Sequence, residues 1–378
     1  MLETAIPTPG DAAHRALAPL YVGADVYART AFPRPHPLSI PRAGAVEALC
    51  RSLGWLDQDY VISLPASRLE LMRHHDPAYV EAVARADREQ HVDEETRARF
   101  NLGVGNNPLF PGMFERAATA VGGSILAARL AWEGRIVHHP PGGTHHGARA
   151  RASGFCYFND PVFAILEFLT LGARRVAYVD FDAHHGDGVE DAFADDSRVT
   201  TVSVHEADRW PRTGALADRR GGYARNLPVP RGLNDDEFAV LVDEAVIPWV
   251  SRFAPDAVVV LTGADALAGD PLAKLGLSNG ALWRAVEKAA ALAPAALVLG
   301  GGGYNPWNVV RCWGGLWGRL SGRAFPDPLP DAARAVLEGL WSPRVEAPDP
   351  LWTTTLRDPP RGGQVRAEIA EIVRATLA

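Results

Sequence analysis

Cysteine is scarce in this chain: Cys50, Cys156 and Cys312 are its only three, an odd number with no Cys-x-x-Cys pair. A disulfide framework is therefore excluded, and free thiols in a reducing cytosol are expected. Basic charge is not in excess either, with 38 Lys and Arg against 45 Asp and Glu and a formal net charge of -7. A general nucleic-acid binder needs basic surface to neutralise phosphates, so that class is set aside, and a cationic substrate suits the field better. No uncharged apolar run approaches the ~20 residues of a membrane span. The first residues, Met1 to Pro7, show no basic segment followed by an apolar core. A soluble, unexported, cytoplasmic protein is the expectation, with no membrane partner. Repeats and low-complexity tracts are also missing.

What is present is the composition of a packed globule, 47% hydrophobic and 22% charged, with 36 Gly and 30 Pro to supply turns. Short apolar, β-branched runs at 135–139, 175–182, 198–205, 256–262 and 295–300 read as strands. Helix-period apolar patterns occupy 161–171, 237–253 and 279–292 between them. Strand, helix, strand alternation predicts an α/β protein of three layers, a mainly parallel central sheet between helices. One catalytic domain over 1–378 is expected, its core at about 21–320. The remainder, 325–378, is rich in proline and tryptophan and ends in an amphipathic helix over 364–378. It reads as an extension packed on the domain.

Chemistry concentrates where the strands end. The segment Tyr178-Val179-Asp180-Phe181-Asp182-Ala183-His184-His185-Gly186-Asp187-Gly188 runs from an apolar strand into five ionisable residues. Side chains alternate along a strand, so Asp180, Asp182 and His184 are expected on one face, as a carboxylate and imidazole set suited to a divalent cation. Asp265, after the apolar run 257–260, is the natural third ligand, whereas Asp270 starts a turn with Pro271. His145 and His146 follow another strand on a Gly-rich loop, where adjacent imidazoles can converge and exchange protons with a reacting group. Gly300 to Gly303 fit neither a P-loop nor a dinucleotide fingerprint. The run permits close backbone approach and presents Tyr304, whose hydroxyl can donate to an oxyanion. Cys156 reads as packing, because no histidine is reserved to activate it.

Taken together, His145-His146, the run from Ser153 to Asp160, the run from Val179 to Glu190, Gly263-Ala264-Asp265 and the run from Gly300 to Asn305 resemble the motifs of the metal-dependent histone deacetylase family, in order and spacing. The similarity is greatest to its bacterial acetoin-utilisation branch and covers roughly Tyr21 to Leu320. It implies the arginase/deacetylase fold and hydrolysis of an N-acyl amide by metal-activated water, the substrate being an acylated lysine or a small acylated amine. By position, Asp182, His184 and Asp265 would bind one catalytic metal, zinc or ferrous iron. His146 would be general base and acid beside His145, with Asp180 and Asp187 orienting the two imidazoles and Tyr304 polarising the acyl carbonyl. A structural monovalent cation, potassium in kind, would use Asp180, Asp182, His184, Ser203 and Val204. Gly154, Phe155 and Trp210 match the acyl tunnel, Leu272 its rim, and Arg42 the arginine of an acetate exit.

Two positions depart from that pattern. Where the family grips substrate backbone amides with an aspartate, this chain has Asn106, which still accepts a hydrogen bond but carries no charge. Arg212 in Pro211-Arg212-Thr213-Gly214 stands where glycine is frequent. Of the rival classes, a two-metal ureohydrolase of the arginase type needs further aspartates where Gly186 and Leu267 stand. A non-catalytic acyl-lysine reader would have no use for His145, His146 and Tyr304 at once.

Overall fold

The structure, a computed structural model, describes residues 17–378. The Met1 to Pro7 segment lies outside them. Eight strands form one sheet: β1 Leu20–Gly23, β2 Tyr60–Ile62, β3 Ile136–His139, β4 Val176–Asp180, β5 Val199–Glu206, β6 Ala224–Val229, β7 Ala257–Leu261 and β8 Ala295–Leu299. Their order across the sheet is β2-β1-β3-β8-β7-β4-β5-β6. Every pairing is parallel.

Parallel strands connected by helices must be covered on both faces, and the side-chain alternation shows how. Ala177, Val179, Val258, Val260, Ala296 and Val298 share one core with helices Ala43–Ser52, Asn279–Ala290 and Pro306–Leu320. Their neighbours Val176, Tyr178, Ala257, Val259, Leu297 and Leu299 share the other core with helices Met113–Trp132 and Asp160–Thr170. The strand interiors are apolar on both sides and leave no polar face to turn outward. The three-layer α/β architecture follows from that.

Three strands escape sequence reasoning. β1 and β2 are only 4 and 3 residues long. β6 includes Asn226 and Pro228, and proline is tolerated there because β6 is an edge strand. The helix expected over 237–253 is instead Asp235–Leu241 and Ile247–Phe253, joined through a π-helical turn at Val242–Val246. Pro248 in the first turn of the second piece has no N–H for the preceding turn, and the wider π turn absorbs the loss.

The strand expected to reach residue 182 ends at Asp180. Asp180 Oδ1 accepts from the Asp182 amide at 2.9 Å, and Asp182 Oδ1 accepts from the His184 amide at 2.9 Å. Two successive Asx turns, not a continuing strand, therefore bring out Asp182 and His184. The C-terminal segment is fastened to the sheet-covering helices. Arg311 pairs with Asp358 at 2.7 Å, the Asn279 amide side chain donates to the Leu356 carbonyl at 2.7 Å, and helix Ala367–Leu377 buries Ile369, Ile372 and Val373.

Candidate active site

Four neighbouring strands, β3, β8, β7 and β4, deliver the polar cluster from their carboxyl ends: His145 and His146, Tyr304, Asp265, then Asp182 and His184. That edge of an open α/β sheet is where side chains from different connections converge. Asp182, His184 and Asp265 are buried, and one ligand atom from each lies within 4.8 Å of the others. His184 Nδ1 is 3.1 Å from Asp182 Oδ1 and 3.0 Å from Asp265 Oδ2. Backbone amides pin both carboxylates: Gly302 donates to Asp182 Oδ2 at 2.6 Å, and Ala183 to Asp265 Oδ1 at 3.1 Å.

The electrostatics of this trio favour a cation. Burial opposes charge on His184, but bonds to Asp182 and Asp265 draw its pKa up to about 10. Burial and the charge of Asp182 lift Asp265 to about 6. Burial also works against Asp182, yet the charges of His145 and His184 hold it well below the usual carboxylate range. Two carboxylates converge on one imidazole nitrogen, whose single proton cannot satisfy both. An oxygen, nitrogen, oxygen donor set of this kind, with its other oxygens held by the backbone, fits a borderline divalent ion.

Two imidazole and carboxylate pairs stand beside it. His145 Nδ1 is 2.8 Å from Asp180 Oδ2, which also accepts from the Tyr178 hydroxyl at 2.7 Å. His146 Nδ1 is 2.7 Å from Asp187 Oδ1. The turn after β4 points the Asp180 carboxylate at His145 rather than at the Asp182, His184 and Asp265 group. Against the effect of burial, Asp180 and Asp182 raise His145 to about 9, whereas burial and the neighbouring His145 charge lower His146 to about 4. His145 is held cationic and His146 neutral. Environments that split two like groups in this way mark an acid and base pair.

Tyr304 is 7% exposed, its ring 6.2 Å from that of His184, and its hydroxyl has no hydrogen-bond partner among the described residues. Burial and the charges of Asp265 and Asp182 push its pKa up, so it remains a phenol able to donate. Burial likewise raises the Cys156 thiol, which keeps it protonated and unfit as a nucleophile.

An outer cleft of about 650 Å³ leads inward past Asn106, Trp210 and Leu272 to His184. An inner chamber of about 100 Å³ continues below, lined by Arg42, Gly143 and Trp313. His146, Gly154, Phe155 and Tyr304 line both and form the neck between them. A side chain on Gly154 would meet Trp210 at 2.4 Å and His146 at 2.6 Å, so only glycine lets the neck close to this width. Arg42 donates to the Gly301 carbonyl, and its guanidinium lies 4.9 Å from the Trp313 ring. Ser203 pairs in register with Asp180, next to Val204 on β5. Asn106 is exposed at the cleft mouth, and its carbonyl accepts from His36 Nε2 at 3.3 Å.

Two supporting carboxylates went unrecognised in the sequence. Asp160 accepts from the Gly143 amide at 2.9 Å and the Thr144 amide at 2.7 Å, fixing the loop that carries both histidines. Its place in Asn159-Asp160-Pro161 signals only a helix start. Asp270 makes the expected turn with Leu272, at 2.8 Å, but its other oxygen accepts from the Tyr304 amide at 2.8 Å. Gly186 and Leu267 hold the places a second ion would need, and Leu267 is buried.

Fold and site together define a three-layer α/β protein of the arginase/deacetylase architecture with a buried Asp-His-Asp group that could hold a metal ion. The chain belongs to the histone deacetylase family: the histone deacetylase domain matches residues 36–320. It is 35% identical over 300 residues to histone deacetylase 8 of Xenopus tropicalis, covering 77% of this chain and 80% of that one. Identity is 34% over 318 residues with the acetoin utilization protein AcuC of Bacillus subtilis strain 168, covering 80% and 82%. The crystal structure of an HDAC homolog from Aquifex aeolicus superposes with a TM-score of 0.91 at 32% identity, over 96% of this chain and 100% of that one. A structure of an HDAC homolog complexed with SAHA matches equally well, at a TM-score of 0.91.

Proposed function

We propose that the protein, a deacetylase by family, hydrolyses the amide of an acylated lysine or a small acylated amine, with acetyl the acyl group released. The observation that carries this reading is the convergence of the Asp182, His184 and Asp265 set with neutral His146 and the unpartnered Tyr304 hydroxyl at one neck. Asp182, His184 and Asp265 would hold one divalent ion, zinc or ferrous iron, which supplies Lewis acidity toward the carbonyl and lowers the pKa of water. His146, neutral and oriented by Asp187, takes a proton from the attacking water and returns one to the departing amine. His145, held cationic by Asp180, keeps His146 neutral and stabilises negative charge near the reacting carbon. Tyr304 donates its hydroxyl to the oxygen that becomes anionic.

Phe155 and Trp210 would flank the aliphatic stem, with Gly154 giving it room and Leu272 at the rim. The inner chamber and Arg42 would receive the released carboxylate. Asp180, Asp182, His184, Ser203 and Val204 would hold a potassium ion beneath the site. The assignment of 1–378 to one domain, with 325–378 as an extension, belongs to the same proposal. Three buried free cysteines fit a cytoplasmic setting. No helix among the described residues is long and apolar enough to cross a membrane.

Small acylated amines or a limited set of acylated lysines suit the mouth better than varied peptides, since Asn106 offers peptide amides no charge. The test is a turnover profile over acetylated peptides, acetylated polyamines and small acylated amines, with metal content measured in the same preparation. Asn106→Asp should raise kcat/KM on acetyl-lysine peptides more than on small amines. A parent enzyme already efficient on varied peptides, and unmoved by that change, would make it a general lysine deacetylase.

A further inference from the structure

The loop that forms one side of the cleft mouth carries opposite charges on either side of its tryptophan. Asp208, Trp210 and Arg212 all line the cleft, and all three are exposed. Arg209 between them is already neutralised, its guanidinium bonded to Glu206 at 2.6 Å and 3.0 Å. The Asp208 carboxylate and the Arg212 guanidinium have no ion-pair or hydrogen-bond partner among the described residues. Both sit at left-handed backbone, with φ of 57° and 66°. Arginine at such a position bears a steric cost that glycine would avoid, and nothing the guanidinium bonds to within the chain offsets it. The same mouth presents Asn106, which is neutral and repels neither sign.

We infer that this rim recognises a zwitterion, and that the substrate class is the ω-N-acylated free α-amino acid, typified by Nε-acyl-lysine. The inference rests on the deacetylase reading above and names the substrate of that same site. Trp210 packs against His146 with ring centroids 4.6 Å apart, so the charged pair flanks the wall along which the aliphatic stem descends. Lysine's stem, from amide nitrogen to Cα, spans roughly 6 Å at about 1.5 Å per C–C bond, so the α-carbon with its two charged groups lies that far outward of the scissile amide, toward the rim. There Arg212 bonds the α-carboxylate through its planar fork, and Asp208 takes the α-ammonium. A carboxylate at position 106 would repel that α-carboxylate, and Asn106 removes the repulsion. Water adds across the amide C–N bond, yielding the free carboxylate and lysine with its ε-amine restored.

Three probes isolate the two charges. Nε-acetyl-lysine carries both, N-acetylcadaverine lacks only the carboxylate, and 6-acetamidohexanoate lacks only the ammonium. With the metal-loaded full chain, kcat/KM for Nε-acetyl-lysine should exceed each of the others by about fivefold to tenfold, chiefly through KM. Arg212→Gly, which also suits the backbone, should bring the ratio against N-acetylcadaverine to about one. Asp208→Asn should do the same for 6-acetamidohexanoate. Parent ratios near one, ratios that the two substitutions leave alone, or equal turnover of acetyl-lysine blocked at both its α-groups overturn the zwitterion assignment while leaving the deacetylase standing. Turnover of none of these compounds, nor of an acetyl-lysine peptide, removes both.

Discussion

In the proposed mechanism Tyr304 separates holding a substrate from hydrolysing it. Its backbone is fixed by Asp270 and its ring by Phe155, with centroids 5.9 Å apart, so the hydroxyl can be removed without disturbing the loop. Tyr304→Phe should fold, load metal and lose about 100-fold to 1,000-fold in kcat, the usual effect of deleting one oxyanion donor. Unchanged turnover would take the tyrosine out of the mechanism. Asp265 belongs to the proposed ligand set and would act earlier, in holding the ion. Asp265→Ala should lose bound metal and activity together, as measured by elemental analysis beside an assay. Two catalytic divalent ions per chain would contradict the mononuclear site.

At the scale of elements, the connection after β8 matters as much as the residues it carries. A methyl group on Gly302 would lie 2.1 Å from Asp265 Oδ2 and 2.8 Å from Asp182 Oδ2. Gly302→Ala should therefore lower metal affinity by roughly 10-fold to 100-fold with little change in far-UV circular dichroism, because the clash falls on two ligands outside the strands. The glycine run was legible as a place of close backbone approach. Its object was not, since nothing in the sequence near 300 points to Asp182, 120 residues away. The same limit explains the other gaps. The five strands with long β-branched runs declared themselves, while β1 and β2, at 4 and 3 residues, hold their place through neighbours. Asp182, His184 and Asp265 were readable because strand-end carboxylates and histidines are costly without a purpose. The direction of Asp180 depended on where β4 stopped, and Asp160 and Asp270 were hidden because a cap and a turn already explained them.

The whole molecule carries a pH dependence away from the catalytic cleft. Glu47 is buried against β1, where it accepts from the Tyr60 hydroxyl at 3.0 Å, while its other oxygen has no partner. Burial raises its pKa to about 7 from an ordinary 4.5. The folded state thus prefers the protonated acid: this contribution is complete below about pH 4.5, declines as pH rises toward 7, and is gone above it. The loss is of order 3 kcal/mol. Glu47→Gln should melt higher than the parent at pH 8 and lose that advantage by pH 5, as followed by thermal denaturation across the range. A constant difference would place the effect outside the carboxyl group.

The strand order also bears on how the protein is made. β8, synthesised last, lies between β3 and β7 at the centre of the sheet, and β7 lies between β8 and β4. While the chain is still emerging from a ribosome, the early strands β3 and β4 lack the two strands, β8 and β7, that bridge them in the sheet, and the histidine loop has no such bridge to Asp182. Only when residues near 304 are free does the middle of the sheet close, bringing together groups first translated about 160 residues apart. Any ion held by Asp182, His184 and Asp265 would therefore be acquired late in biosynthesis, and a nascent chain halted before β8 would not yet bring Tyr304 to the other groups of the proposed site.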